Sequence, residues 1–235
     1  MPLAPQLRRP TLRQTAGTAV KSATVLVPLQ DIAMTTIEYY FAPQSPWTYL
    51  GHQRLGDIAR RHGATIEVLP VDLGKVFPIS GGLPLGKRAP QRQAYRLVEL
   101  RRFAEHLSTP LNQQPKYFPV GGDEAARLIV AVEQHDGADA AMRIAAAVQR
   151  AVWAEERNIA DNTVLAQLLA EGKLPARRLE DSQLQAVQQR YERNTQRAID
   201  AGVFGAPSYV IDGELFWGQD RLDFVERRLA RPGAG

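Results

Sequence analysis

Residues Thr36–Phe41 read TIEYYF and run at once into Ala42–Leu50, APQSPWTYL, and this junction decides the fold. The first six residues are β-branched and aromatic, the composition of a strand. The run stops at Ala42-Pro43-Gln44-Ser45-Pro46, where Pro46 can open a helix because its missing N–H would have had no partner there. From Trp47 to Arg61 apolar residues fall at helical spacing (Tyr49, Leu50, Leu55, Ile58, Ala59), and His62-Gly63 supplies a stop. Thr65–Val71, TIEVLPV, is a second strand with Pro70 near its end. Strand, helix and strand in such quick succession predict a right-handed βαβ unit with parallel strands.

Further out the pattern changes. Between Asp72 and about Asp181 no strand-like run recurs. Helical periodicity covers Pro90–His106, Gly122–His135, Ala138–Ala154, Asn162–Glu171 and Asp181–Asp200, with Asp161 and Glu180-Asp181 as expected N-cap regions. Then Pro207–Ile211 (PSYVI) is a strand, Asp212-Gly213 a hairpin turn, Glu214–Trp217 (ELFW) its partner, and Asp220–Leu229 a closing helix. The order predicts an α/β protein: a thioredoxin-like fold with a large all-helical insertion between the N-terminal βαβ unit and the C-terminal αββα unit. The expected parts are a thioredoxin-like domain at 35–74 and 182–231 and an inserted helical domain at 75–181.

Residues 1–33 read as a leader. They carry Arg8, Arg9, Arg13 and Lys21 against Asp31. A disordered tail, a transit-like segment and an upstream start with Met34 as the true beginning all fit, and the last is preferred because strand-like sequence follows Met34 directly. The leader holds +3 of the formal +4, so the rest of the chain is close to neutral and a nucleic-acid partner is not expected. Paired arginines elsewhere (Arg60/Arg61, Arg101/Arg102, Arg177/Arg178, Arg227/Arg228) sit beside acidic residues and read as solvated faces. The chain has no cysteine, which excludes disulfides, thiolate metal sites and cysteine nucleophiles. Its four histidines match no metal-binding spacing, so no metal is expected. No apolar run approaches the ~20 residues of a membrane span; a cytoplasmic protein without a membrane partner is expected.

Three features carry chemistry. Ser45-Pro46-Trp47-Thr48 sits where a strand meets a helix, and the free N–H groups of that helix start favour an anion. A hydroxyl there can hydrogen-bond a thiolate brought by a ligand, although an N-cap is the plainer role for Ser45. Gly202–Ser208, GVFGAPS, precedes a strand, and a cis Ala206–Pro207 bond would expose backbone groups to an extended ligand. Phe216–Arg221, FWGQDR, opens the last helix, where Asp220 is either a cap or a partner for an amino group.

In this order the features resemble the 2-hydroxychromene-2-carboxylate isomerases, with kappa-class glutathione transferases and bacterial DsbA-like disulfide oxidoreductases as relatives. The resemblance covers about Thr36 to Leu229 and is strongest in YFAPQSPWTYLG (Tyr40–Gly51) and GVFGAPSYVIDGELFWGQDRLD (Gly202–Asp223). PQRQAY (Pro90–Tyr95), QPKYFP (Gln114–Pro119) and RAVWAEERNI (Arg150–Ile159) also match. DsbA-like proteins carry C-x-x-C where this chain has Ser45 and Thr48, so the resemblance implies thiol handling without disulfide exchange.

The resemblance implies glutathione as the cofactor, a small aromatic or electrophilic substrate from aromatic-compound breakdown, and a homodimer. Ser45 looks like the family's catalytic serine. Ala206 and Pro207 would hold the glutathione cysteinyl backbone, Gln219 and Asp220 the γ-glutamyl end, and Arg92 a ligand carboxylate. Gly82 lies roughly where kappa enzymes carry an asparagine, and Asn158 replaces an aspartate common before Ile159. The implied chemistry is reversible addition of the thiolate to the chromene or its ring-opened enone, rotation about the former double bond, and elimination to the trans product. Arg88, Arg92 and Lys116 are candidates for the substrate carboxylate. Trp47, Tyr49, Phe77 and Trp217 are candidates for an aromatic pocket wall, core being the commoner role for such residues. Two other functions remain open: a kappa-like transferase acting on an electrophile, and a non-catalytic thioredoxin-fold binding module.

Overall fold

Alternation in TIEYYF places β1 (Thr36–Phe41) in the centre of the sheet in a computed structural model, which describes Met1 and residues 34–231. The expected start at Met34 concerns residues outside that range. Side chains of a strand point alternately to its two faces. Ile37, Tyr39 and Phe41 join the main core, while Tyr40 packs on the opposite face with Leu69, Val71, Ala198 and Val210. Two buried faces need helices on both sides, and the chain provides them.

After β1 come α1 (Pro46–His62) and β2 (Thr65–Pro70), whose strands pair in parallel as expected, Tyr39 facing Val68. The insertion follows as α2 (Leu73–Ser80), a 3-10 turn at Leu85–Lys87, α3 (Pro90–His106), α4 (Asp123–Asp136), α5 (Ala138–Trp153), α6 (Asn162–Glu171) and the short α7 (Arg178–Asp181). Then α8 (Gln185–Asp200) leads to β3 (Ser208–Ile211), β4 (Glu214–Trp217), a 3-10 turn at Gln219–Arg221 and α9 (Leu222–Leu229). The sheet order is β2-β1-β3-β4, with β3 antiparallel to both its neighbours. The frame is a thioredoxin-like fold interrupted by helices. One core cluster runs from Leu55 and Ile58 of α1 through Val148 and Trp153 of α5 and Leu165 of α6 to Val225 of α9, so the inserted helices and the frame share their interior.

Several details depart from the sequence reading. Helix α2 was not expected, yet its punctuation is orthodox: Asp72 caps it by accepting from the Gly74 amide at 2.7 Å, and Gly81 ends it at φ +74°. The helix expected over Asp181–Asp200 begins only at Gln185, after an extended Leu184 (φ −66°, ψ 141°), and Asp181 ends the separate α7. Glu180-Asp181 do not cap α8, because Asp181 accepts instead from Arg178 Nη1 at 2.7 Å. Arg178 is no solvated arginine: it is 6% exposed and donates Nε and Nη2 to the two carboxylate oxygens of Asp136 at 2.6 and 2.9 Å. Asp136 is held below the usual carboxylate range mainly by that bond. Asp220 falls in the 3-10 turn, and the residue before α9 is Arg221, without a side-chain cap.

On the α8 side of the sheet, Glu38 of β1 lies directly beside Glu67 of β2. Like charges placed so repel. Arg197 of α8 reaches both, at 3.0 and 2.6 Å, and Tyr40 donates its hydroxyl to Glu38.

Candidate functional site

The site gathers at the end of the sheet where β1 stops. Ser45 N donates to Ala42 O at 2.9 Å, a tight turn that swings the chain from β1 into α1. Ser45 is the N-cap of α1 (φ −77°, ψ 127°), its Oγ accepting from the Thr48 amide at a long 3.3 Å. The plainer role is therefore real. It uses only an acceptor lone pair: among the described residues the Ser45 hydroxyl proton has no acceptor, and the Trp47 amide no partner. Ser45 is half-buried, reachable by a ligand. Thr48 is fully buried with its Oγ1 unpaired, so it does not offer a second hydroxyl to solvent.

Strand register brings the second feature to the same place. Tyr40 faces Ser208 at the end of the β1–β3 pair, so Phe41-Ala42 and Ala206-Pro207, the residues just beyond, lie at the same end of the sheet. The Ala206–Pro207 peptide is cis. Neither the N–H nor the C=O of Ala206 has a hydrogen-bond partner among the described residues. Pro207 O accepts from Gly218 N at 2.9 Å, which ties the turn after β4 to the same corner. Gly218 holds φ +103°, a conformation that favours glycine, and a Cβ there would lie 2.5 Å from Asp220 Oδ1. The exposed Asp220 carboxylate thus folds back over the turn, 3.3 Å from Arg221.

Gln219 differs from its neighbour. It is buried, and Arg54 of α1 donates to both its backbone oxygen and its Oε1 at 3.2 Å, then to Asp223 at 3.1 Å. Gly51 of α1 sits on the Gln219 Cβ and beneath the Tyr209 hydroxyl, so helix and turn touch without an intervening side chain. Gln219 fastens the turn to α1.

The aromatic candidates scatter around this corner. Trp217 is 50% exposed and its indole lies over Gly205, tilted against Phe204 with ring centroids 4.8 Å apart. Trp47 meets Phe103 of α3 edge-on at 6.0 Å. Tyr49 donates its hydroxyl to Pro110 O at 2.7 Å. Phe77 covers Gly82. None of Trp47, Tyr49 and Trp217 is fully buried. Of the basic candidates, Arg92 is exposed on the first turn of α3 with no partner among the described residues, Arg88 donates Nε to Leu83 O at 2.8 Å, and Lys116 lies 5.1 Å over the Tyr117 ring.

Sequence reasoning missed three neighbours. Gln44 rests on Gly122 at the start of α4, its Oε1 buried and unpaired. His52 of α1 is buried beneath the site. Its Nε2 faces Met142 O at 2.9 Å and so carries the proton, while Nδ1 accepts from the Tyr39 hydroxyl at 3.1 Å. Burial drives this imidazole down to about 4. The third is Arg96 of α3, with its guanidinium carbon 5.2 Å over the Phe118 ring and 5.7 Å over that of Trp153.

Comparison with known proteins agrees with this fold. The DSBA-like thioredoxin domain model matches residues 36–230. A 2-hydroxychromene-2-carboxylate isomerase of Sphingobium xenophagum is 31% identical over 196 residues, covering 83% of this chain and 97% of its own. One from Pseudomonas putida is 30% identical over 200 residues, covering 83% and 94%. A solved 2-hydroxychromene-2-carboxylate isomerase superposes with TM-score 0.71 at 28% identity, covering 83% of this chain and 95% of that one. A cytosolic disulfide reductase of Pseudomonas aeruginosa, at TM-score 0.60 and 22% identity, shares the fold, covering 83% of this chain and 98% of that one. Among the described residues no helix is long and apolar enough to cross a membrane.

Proposed function

We propose, starting from the fact that this chain belongs to the 2-hydroxychromene-2-carboxylate isomerase family of DSBA-like thioredoxin-domain proteins, that it is a glutathione-dependent cis-trans isomerase of such chromene carboxylates in aromatic-compound degradation. It would act in the cytoplasm as a homodimer. One observation carries the glutathione reading: a hydroxyl proton without an acceptor, at an amide-rich helix start, beside a backbone N–H and C=O that also lack partners. Those are the groups a thiolate on an extended tripeptide requires.

The residues fit glutathione from one end to the other. Ala206 offers its N–H and C=O for strand-like pairing with the cysteinyl backbone, next to Pro207. Asp220, exposed where it folds over Gly218 beside Arg221, is the carboxylate that would meet an ammonium group. Gln219 acts indirectly, by pinning that turn to Arg54. Arg92 stands exposed for a carboxylate. When bound, glutathione supplies a thiolate that adds to an electron-poor carbon of the substrate and leaves after bond rotation. Ser45 donates its proton to the sulfur position, and the helix start favours negative charge there. Trp217 and Phe204 give a planar ring an apolar edge to lie on. The protein positions the reactants and lowers the cost of the anion, and the nucleophile is borrowed.

The test is calorimetric titration of glutathione into wild type and Ser45→Ala, with thiolate absorbance followed against pH. The bound thiol pKa should lie well below its free value in wild type and return toward it in the variant. A protein that binds no glutathione ends the proposal. Glutathione binding without conversion of 2-hydroxychromene-2-carboxylate to the trans product moves the assignment to a transferase.

A further inference from the structure

Arg96 is a half-buried arginine that no acidic side chain among the described residues neutralises. Its nearest acidic neighbour on the helix, Glu99, is engaged by Arg102 at 2.6 Å. Among the described residues Arg96 makes neither an ion pair nor a hydrogen bond, and its guanidinium lies against Phe118 and Trp153. It is half-buried. An arginine stem and face can pack on aromatic rings, but its fork of N–H donors calls for an acceptor. Burial, and next the positive charge of Arg88, hold this guanidinium down to about 10. Among the described residues neither Arg96 nor Arg88 makes an ion pair, which leaves positive charge here for an anion to meet.

The corner belongs to the site. Phe103 follows Arg96 by seven residues on α3, so both project from one face, about 10 Å apart along the axis. Phe103 is the ring that Trp47 meets edge-on, two residues after Ser45. From the other side, Phe118 leads within four residues to Gly122, against which Gln44 rests immediately before Ser45. Trp47 in the first turn of α1 thus meets the helix that carries Arg96, and Gln44 meets the segment that follows Phe118.

We infer that Arg96 binds the carboxylate of the substrate, its flat fork taking both oxygens while Phe118 and Trp153 hold the guanidinium plane. The inference rests on the isomerase reading for the identity of the anion, and the binding itself does not require glutathione. It selects Arg96 over Arg88, which is tied to Leu83 O, over Lys116, which lies on Tyr117, and over Arg92, which is exposed on the first turn of α3 with no ring among the described residues to hold its plane.

Chromone-2-carboxylate, a stable planar analogue, and its uncharged methyl ester test this by calorimetry without turnover. Wild type should prefer the acid by about 10–100-fold, the range expected of a charge-assisted bidentate contact. Arg96→Met should bind both alike, with ester affinity unchanged. Arg96→Lys, which keeps the charge and loses the fork, should retain part of the preference and covers the case in which the methionine variant does not fold. A merely structural arginine would weaken both ligands together. Persistent preference for the acid in folded Arg96→Met overturns the inference. So does its loss in Arg88→Met, Arg92→Met or Lys116→Met while Arg96→Met keeps it, or a wild type that does not distinguish the ligands. Glutathione titrated in parallel separates the two readings: an acid preference that depends on Arg96, in a protein that ignores glutathione, sustains the anion site and removes the glutathione chemistry.

Discussion

Two corners of this molecule treat polar groups in opposite ways. Between α4 and α7 the buried Arg178 guanidinium is answered, with three bonds to Asp136 and Asp181, and at the start of α6 Asp161 caps at 2.8 Å. Around the start of α1 the donors are left over. Ser45 caps loosely at 3.3 Å and keeps its proton, Ala206 keeps its N–H, and Arg96 keeps its whole fork. Helices α1, α2 and α6 all begin with the same local grammar, a short polar side chain accepting from an amide. The two carboxylate caps are short and spent on stability, whereas the hydroxyl cap is long and half spent. A site is recognisable by what it has not satisfied.

The contrast can be broken by mutation. The largest effect is expected at the satisfied corner. Arg178→Met strands two carboxylates and should cost about 3 kcal/mol by denaturant unfolding, since breaking a buried pair leaves uncompensated charge. An unfolding midpoint equal to wild type would show that the corner contributes nothing.

A similar amount hangs on acid. His52 is neutral in the fold down to about 4, against 6.5 for the exposed residue. Between those values the unfolded chain takes up a proton that the folded chain refuses. Stability attributable to this residue is therefore complete above pH 6.5 and lost as pH falls toward 4, on the order of 3 kcal/mol. His52→Gln should flatten that part of the stability profile. A variant profile parallel to wild type would place the acid sensitivity elsewhere.

At the unsatisfied corner the expected change is in rate. Ser45→Ala should lower glutathione-dependent turnover about 100-fold, the scale of one lost donor to a reacting anion, while stability moves by about 1 kcal/mol or less. Equal loss of both would make Ser45 a cap and nothing more. The smallest effect sharpens the same point: Asp161→Ala should cost about 1 kcal/mol in unfolding and leave glutathione affinity unchanged.

Much of the corner was legible in sequence because its signals are local. TIEYYF running into APQSPW fixes strand, turn and helix within a dozen residues, and the GAPS turn and DG hairpin are equally compact. What escaped has two causes. Gly74 and Pro78 inside α2 masked good terminal signals at Asp72 and Gly81, since both are read as breakers. The break at Leu184 was hidden by a continuous polar-apolar pattern from Asp181 onward. The second cause is distance along the chain. Arg178 is paired with a residue 42 positions earlier, so its burial is invisible to a window. Arg96 is the converse: that it has no partner emerges only when Glu99 is seen on Arg102 and aromatic rings from two later segments close around it. Gln219 was placed among ligand contacts by its position in the motif, whereas its side chain faces Arg54.

The indole of Trp217 occupies the space into which a side chain at 205 would grow. The two cannot coexist as they stand, so one hydrogen atom on Gly205 sets how far the aromatic lip reaches across the mouth. Adding a methyl group there would displace the indole, which makes position 205 a control on where this exposed aromatic edge stands.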